Sequence, residues 1–122
     1  MKPNQSDDWQ IRSRQNLRAA MLLVARHPPL VFSAISRLYY AAFQATLAAL
    51  HRAGKHTKDR HGDVWCAAEM LAPGLGRELW KLYKWRMRAD YASGSISLSE
   101  ARNLVAEHTT TCATLGIRPE EA

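Results

Sequence analysis

Arg86 and Asp90 stand four residues apart, a spacing that brings both side chains to one face of a helix. There they either close an intrahelical ion pair or, if Asp90 is buried against another element, orient the arginine toward a ligand phosphate. Arg37 and Tyr40, three apart, share a face in the same way, while Tyr39 projects about 100° from Tyr40, so only one of the two tyrosines can point fully into a core. Arginine forks onto phosphate with two parallel hydrogen bonds, which makes Arg37, Arg86 and Arg88, with Tyr40 beside them, the candidate phosphate-binding set. His56 and His61 flank a basic loop with Lys55, Lys58 and Arg60, read most simply as a solvated turn, with phosphate contact as the alternative. One Arg-x5-His pair, Arg102 and His108, lies near the C-terminus. Six residues turn two helical side chains roughly 240° apart, and about one such pair is expected by chance in a chain this rich in arginine. Trp80 and Trp85, five apart, cannot both face a core, which leaves at least one for a dimer contact or for stacking.

These residues need helices to position them, and the apolar spacing supplies five. A first helix is expected from Asp7 or Asp8, either of which could cap it, through Trp9, Leu17, Ala20, Met21 and Val24, ending at His27-Pro28-Pro29. From about Leu30 to Arg52, the residues Val31, Ala34, Ile35, Leu38, Ala42, Ala45 and Ala49 recur at steps of three and four, the pattern of one buried face. The many alanines imply close packing against neighbouring helices. Val64 to Ala68 opens a short third helix closed by Pro73-Gly74. A fourth helix runs from about Leu75 to Tyr91, with Leu75, Leu79, Leu82, Trp85 and Met87 at helical spacing and Ser93-Gly94-Ser95 as its breaker. Ser97-Leu98-Ser99-Glu100 is a capping box that announces a last helix, and Gly116 ends it. No alternating β-branched run is long enough for a strand, so the fold class is all-α, a bundle of four to five helices. Residues before Asp7 and after Gly116 lack apolar anchors, which puts the ordered core at about 7–116.

A chain of 122 residues has room for one domain with a modest core. Its apolar runs, such as Ala41 to Leu50, are broken by Gln44 and Thr46 and fall short of the roughly 20 residues of a membrane span. The N-terminus has no positively charged start followed by an apolar run, so no secretory signal is expected and the cytoplasm is the expected compartment. Cys66 and Cys112, 46 positions apart with no CxxC spacing, point to reduced thiols and to neither a disulfide framework nor a metal site. No cofactor is expected. Seventeen basic residues against 11 acidic ones give a formal charge of +6, and 12 of the 17 are arginine. That balance favours polyanionic partners through long-range attraction.

Three ordered segments carry a family resemblance. Ser36-Arg37-Leu38-Tyr39-Tyr40-Ala41-Ala42-Phe43 resembles the SRxYYAxF signature on the second helix of small stand-alone proteins of the HEPN superfamily (higher eukaryotes and prokaryotes nucleotide-binding). His61-Gly62-Asp63-Val64 is similar to the THxxV segment that opens the third helix of those proteins. Leu82 to Tyr91 resembles their LxxxRxxADY signature, followed by Ser99-Glu100-Ala101, and the resemblance runs from about Arg14 to Leu115. It implies a helical domain that binds nucleotide or RNA and forms a homodimer. It also implies a minimal nucleotidyltransferase as partner, in a toxin–antitoxin or defence-type system.

The ribonucleases of that superfamily carry an arginine followed, after four to six residues, by a histidine at the end of helix four. Here Arg86 is followed by Asp90 with three residues between, and no histidine stands at that place. A carboxyl group, which ionises at about pH 4 in water, is a poor proton donor at neutral pH. The expectation is therefore a nucleotide- or RNA-binding partner protein with a degenerate nuclease motif. The alternatives are a metal-independent endoribonuclease toxin, in which Arg86, Asp90 and Tyr91 of two subunits meet in one catalytic site, and a structural helical dimerisation module. Tyr91 also occupies the place where some toxin-type relatives accept a nucleotide modification.

Overall fold

The alanine-rich second helix is the element around which the others assemble. The computed structural model describes residues 5–55, 58, 60–91 and 95–120, and within them five helices follow one another: α1 (Gln5–Ala25), α2 (Val31–Arg52), α3 (His61–Ala68), α4 (Leu75–Tyr91) and α5 (Leu98–Thr114). Among the described residues there is no strand, as the sequence pattern predicts. α2 touches all four other helices. Ala34, Ala41, Ala42, Ala45 and Ala48 are fully buried, and side chains this small let neighbouring backbones approach closely. Around them Leu17, Ile35, Leu38, Leu50, Leu79 and Leu82 fill the core.

Two small hydroxyls fasten α1 to α2 where apolar contact alone would let the helices slide. Ser13 Oγ donates to the Ala41 carbonyl at 2.6 Å and Ser6 Oγ to the Ala48 carbonyl at 3.3 Å, both buried. Asn16 Nδ2 adds a 2.8 Å hydrogen bond to Gln44 Oε1. α1 already includes Gln5 and Ser6, so neither Asp7 nor Asp8 is its cap. Both aspartates lie in the first helical turn instead, where the positive end of the helix dipole favours them.

α3 opens at His61, three residues ahead of Val64, because its first turn is polar and carries no apolar signal. α4 has the boundaries that its apolar spacing predicts. Of its expected breaker, Ser93 and Gly94 lie outside the described residues. Glu69 caps the start of α4, its Oε1 accepting from the backbone N–H of Gly76 at 2.8 Å and of Arg77 at 3.3 Å. The Gly74 N–H, which donates to Glu69 Oε2 at 2.9 Å, holds the Glu69 carboxyl below the usual carboxylate range, with the Arg77 and Gly76 bonds adding to it. The Ser97–Glu100 capping box forms as read, with Glu100 N donating to Ser97 Oγ at 3.0 Å and Ser97 N to Glu100 Oε1 at 3.1 Å.

The segment after Gly116 has the apolar anchor that the sequence reading denied it. Ile117 is fully buried, Arg14 Nε donates to the Arg118 carbonyl at 3.1 Å, and Arg18 Nε to the Pro119 carbonyl. Arg52 Nη2, 2.7 Å from the Leu115 carbonyl, satisfies an acceptor at the end of α5. None of the five helices is long and apolar enough to cross a membrane.

Candidate functional site

Where α2, α3 and α4 meet, three pairs of residues at helical spacing converge: Tyr39 and Phe43 from α2, His61 and Trp65 from α3, Tyr83 and Arg86 from α4. Tyr39 is the fully buried member of the tyrosine pair, and Tyr40 lies at the rim. The Tyr39 hydroxyl accepts from Trp65 Nε1 at 3.2 Å and lies 2.7 Å from His61 Nδ1. Burial raises the Tyr39 phenol far above its ordinary range, so it keeps its proton. Indole N–H only donates, so among the described residues the acceptor in contact with that proton is His61 Nδ1. The bond thereby fixes the imidazole in the form that carries its hydrogen on Nε2.

Burial, reinforced by the Arg86 charge, pushes the His61 pKa below its ordinary value, so the ring is neutral at pH 7. Its ring centroid lies 5.0 Å from Phe43, 5.2 Å from Tyr83 and 5.5 Å from Tyr39. His61 is therefore no part of a solvated turn, as the basic loop around it suggested. His56, the other histidine of that loop, lies outside the described residues.

The Arg86 guanidinium carbon lies 5.0, 5.7 and 5.8 Å from the ring centroids of Tyr40, Tyr39 and Tyr83, a three-sided aromatic seat for a cation. Arg86 Nε is 3.2 Å from Asp90 Oδ2, with side chains 14% and 26% exposed. The distance makes an ion pair, but the N–H is not aimed at the oxygen, and the buried Nε makes no hydrogen bond. Of the two readings of the Arg86–Asp90 spacing, the ion pair along α4 is the one that forms; Asp90 is exposed and not buried, at the edge of the Arg37 and Tyr40 face of α2.

That face forms an open groove of about 610 Å³ lined by Arg37, Tyr40, Asp90, Ala89, Ser33, Ser36, Phe32 and Leu23. Arg37 is exposed, with Nη1 3.2 Å from Asn16 Oδ1. Arg37, Tyr40, Arg86 and Asp90 therefore come together. Arg88 does not join them: it stacks on Trp85 at 5.1 Å, donates from Nη2 to the Ser95 carbonyl at 2.8 Å, and lines a different groove. Tyr91 is 73% exposed at the end of α4. Arg102 faces solvent while His108 is only 4% exposed, with Nδ1 unpaired, so the two do not share a surface.

The sequence reading gave Trp65 and Tyr83 no place in the site, and it weighed Tyr39 only as the partner of Tyr40 and His61 only as a loop residue with phosphate contact as an alternative. The signal was present in the spacings Tyr39–Phe43, His61–Trp65 and Tyr83–Arg86, which give each helix one aromatic or basic edge. Which edges face one another depends on how α3 packs, and no local pattern encodes that. Among the described residues no group of three or more histidine, cysteine, aspartate or glutamate side chains could hold a metal. Cys66 is exposed and Cys112 buried, its thiol pushed up to about 12 by burial. Compared with models of protein families, with curated proteins and with solved structures, the chain matches none.

Proposed function

We propose that this chain is a HEPN-type domain that binds nucleotide or RNA through phosphate at Arg86, acts as a homodimer beside a minimal nucleotidyltransferase, and cuts RNA feebly or not at all. The observation that carries this reading is the state of Arg86. Among the described residues its guanidinium makes no hydrogen bond, yet three tyrosine rings and Asp90 hold it at the edge of a groove of ligand size. Arg37 lines that groove and balances Asp90, so Arg86 at its edge leaves the neighbourhood with one positive charge in excess. Phosphate offers the paired acceptors that such donors lack.

His61 favours binding over cutting. An imidazole whose Nδ1 is occupied by a phenol proton offers a neutral N–H donor at Nε2 and no free lone pair, so it can help hold a phosphate but is a poor general base. Its place in the same aromatic cluster as Arg86 also gives the ribonuclease reading one specific support, since α3 brings a histidine where α4 has none.

One experiment separates the two. Single-stranded RNA incubated with the protein at pH 7 in chelator should be cut no faster than by the Arg86→Ala variant. Titration of ADP or labelled RNA should show weaker binding for Arg86→Ala than for Arg118→Ala. Robust cleavage lost in both Arg86→Ala and His61→Asn would establish the ribonuclease instead. Equal binding losses in the two arginine variants would reduce the site to diffuse charge.

A further inference from the structure

The solvent face of α4 carries a second pattern, distinct from the Arg86 site. Arg77, Lys81, Lys84 and Arg88 follow one another at steps of four, three and four, which on a helix stacks them in one stripe about 16 Å long. All four are exposed. Arg86 projects roughly 170° away from the middle of this stripe, so the two sets of cations look in different directions. Like charges three and four residues apart destabilise a helix, and the stripe holds no acid of its own. Glu78 is turned toward α5, with its Oε2 3.4 Å from Thr111 Oγ1, and Glu100 comes near only at the Arg88 end.

Two indoles border the cations. Lys84 Nζ lies 4.6 Å from the Trp80 ring centroid and Arg88 Cζ 5.1 Å from that of Trp85. Lys81, Lys84, Trp85 and Arg88 line an open groove of about 450 Å³, and Trp80 is 44% exposed beside them. Cations alternating with large aromatic faces are what a nucleic-acid strand needs, the cations for its phosphates and the rings for its bases. A duplex, whose bases are already stacked, would use only the charges. An anionic membrane would need an apolar face to bury in lipid, and Leu75, Leu79 and Leu82 of α4 are spent in the core.

We infer that the Arg77–Lys81–Lys84–Arg88 stripe with Trp80 and Trp85 is a second contact surface, which tracks the backbone of single-stranded RNA. This deepens the function proposed above, on which the choice of nucleic acid rests, by making the ligand a strand and not a free nucleotide. The test is fluorescence anisotropy with a labelled single-stranded RNA of roughly twelve nucleotides, titrated over a range of salt, beside calorimetric titration of ADP. The Lys81→Ala/Lys84→Ala variant should bind the strand on the order of tenfold more weakly. Its log–log salt dependence should flatten by about 1.4, the share of two phosphate contacts on a single strand. ADP binding should not change in that variant, and Arg86→Ala should weaken ADP binding.

An Arg26→Ala/Arg102→Ala variant loses the same charge elsewhere on the surface, and an equal loss of RNA affinity there would overturn the stripe. So would an unchanged salt slope in the lysine variant, equal affinity for duplex RNA, or binding to phosphatidylserine vesicles without binding to RNA. Loss of strand binding in the lysine variant with no effect of Arg86→Ala would uphold the stripe and sink the Arg86 reading. Circular dichroism melts of both double variants check that each keeps its fold.

Discussion

At the scale of single residues, the Tyr39 hydroxyl is the point on which the site turns. It receives the Trp65 N–H and gives its proton to His61, so its removal leaves two partners unpaired in a largely apolar setting. Tyr39→Phe is expected to cost about 1–3 kcal/mol in urea unfolding, the usual penalty for stranding buried polar groups. The same change frees His61 Nδ1 as a base, so a rise in RNA cleavage over the wild type would show that the phenol restrains the imidazole. His108, which is buried, and His61, which is half-buried, also give stability a pH dependence whose sign is fixed. Burial lowers the His61 and His108 pKa values below 6.5 in the folded chain, so under mildly acidic conditions the unfolded chain holds more protons. Stability is therefore fully present above about pH 6.5 and is lost as pH falls through the folded pKa values. Urea midpoints at about pH 7.5 and pH 5 should differ, the acid one being lower, and His61→Gln/His108→Gln should narrow the gap. A midpoint that does not move between those conditions contradicts this account.

At the scale of the helices, α3 and α4 approach closely at Gly76. A Cβ on Gly76 would stand 2.2 Å from the Trp65 carbonyl oxygen, so no side chain fits there unless α3 moves. Gly76→Ala should cost about 1–3 kcal/mol or more, as overpacking against backbone does. Because α3 carries Trp65 and His61, ligand binding should weaken as well. Ser97→Ala is a useful contrast. It removes the cap of α5 at a cost of about 1 kcal/mol in stability and leaves ligand affinity unchanged, because α5 lies away from the aromatic cluster. Thermal melts and ADP titrations of the two variants measure both effects, and comparable loss of affinity in Ser97→Ala would mean that the site depends on the bundle as a whole.

For the whole molecule, the distribution of surface decides what can assemble. Leu22, Leu30 and Phe32 are exposed around the α1–α2 turn, and Phe32 lines the groove shared with Asp90. Exposed apolar residues that adjoin a groove are a common mark of an interface. A homodimer that buries them would bring two grooves into one composite surface. Light scattering at micromolar concentration should return about twice 13.8 kDa, and Phe32→Asp should shift it to the monomer value. A monomer across that range for the natural protein would remove the dimer from the proposal.

Sequence alone determined the helices, because each is written in local terms: steps of three and four on α2 and α4, the Ser97–Glu100 box on α5, and the proline and glycine breaks between. It determined the Arg86–Asp90 pair and the Arg37–Tyr40 edge for the same reason, since residues within one turn are neighbours whatever the rest of the chain does. Only the tertiary structure decided that Tyr39 and not Tyr40 is buried, and that His61 leaves the basic loop for an aromatic cluster. It also decided that Ile117 belongs to the core. Those outcomes depend on contacts between residues 22 to 104 positions apart, as in the Tyr39–His61 and Arg14–Arg118 hydrogen bonds. Local spacing sets which faces a helix offers, and packing of the whole chain selects which of them meet.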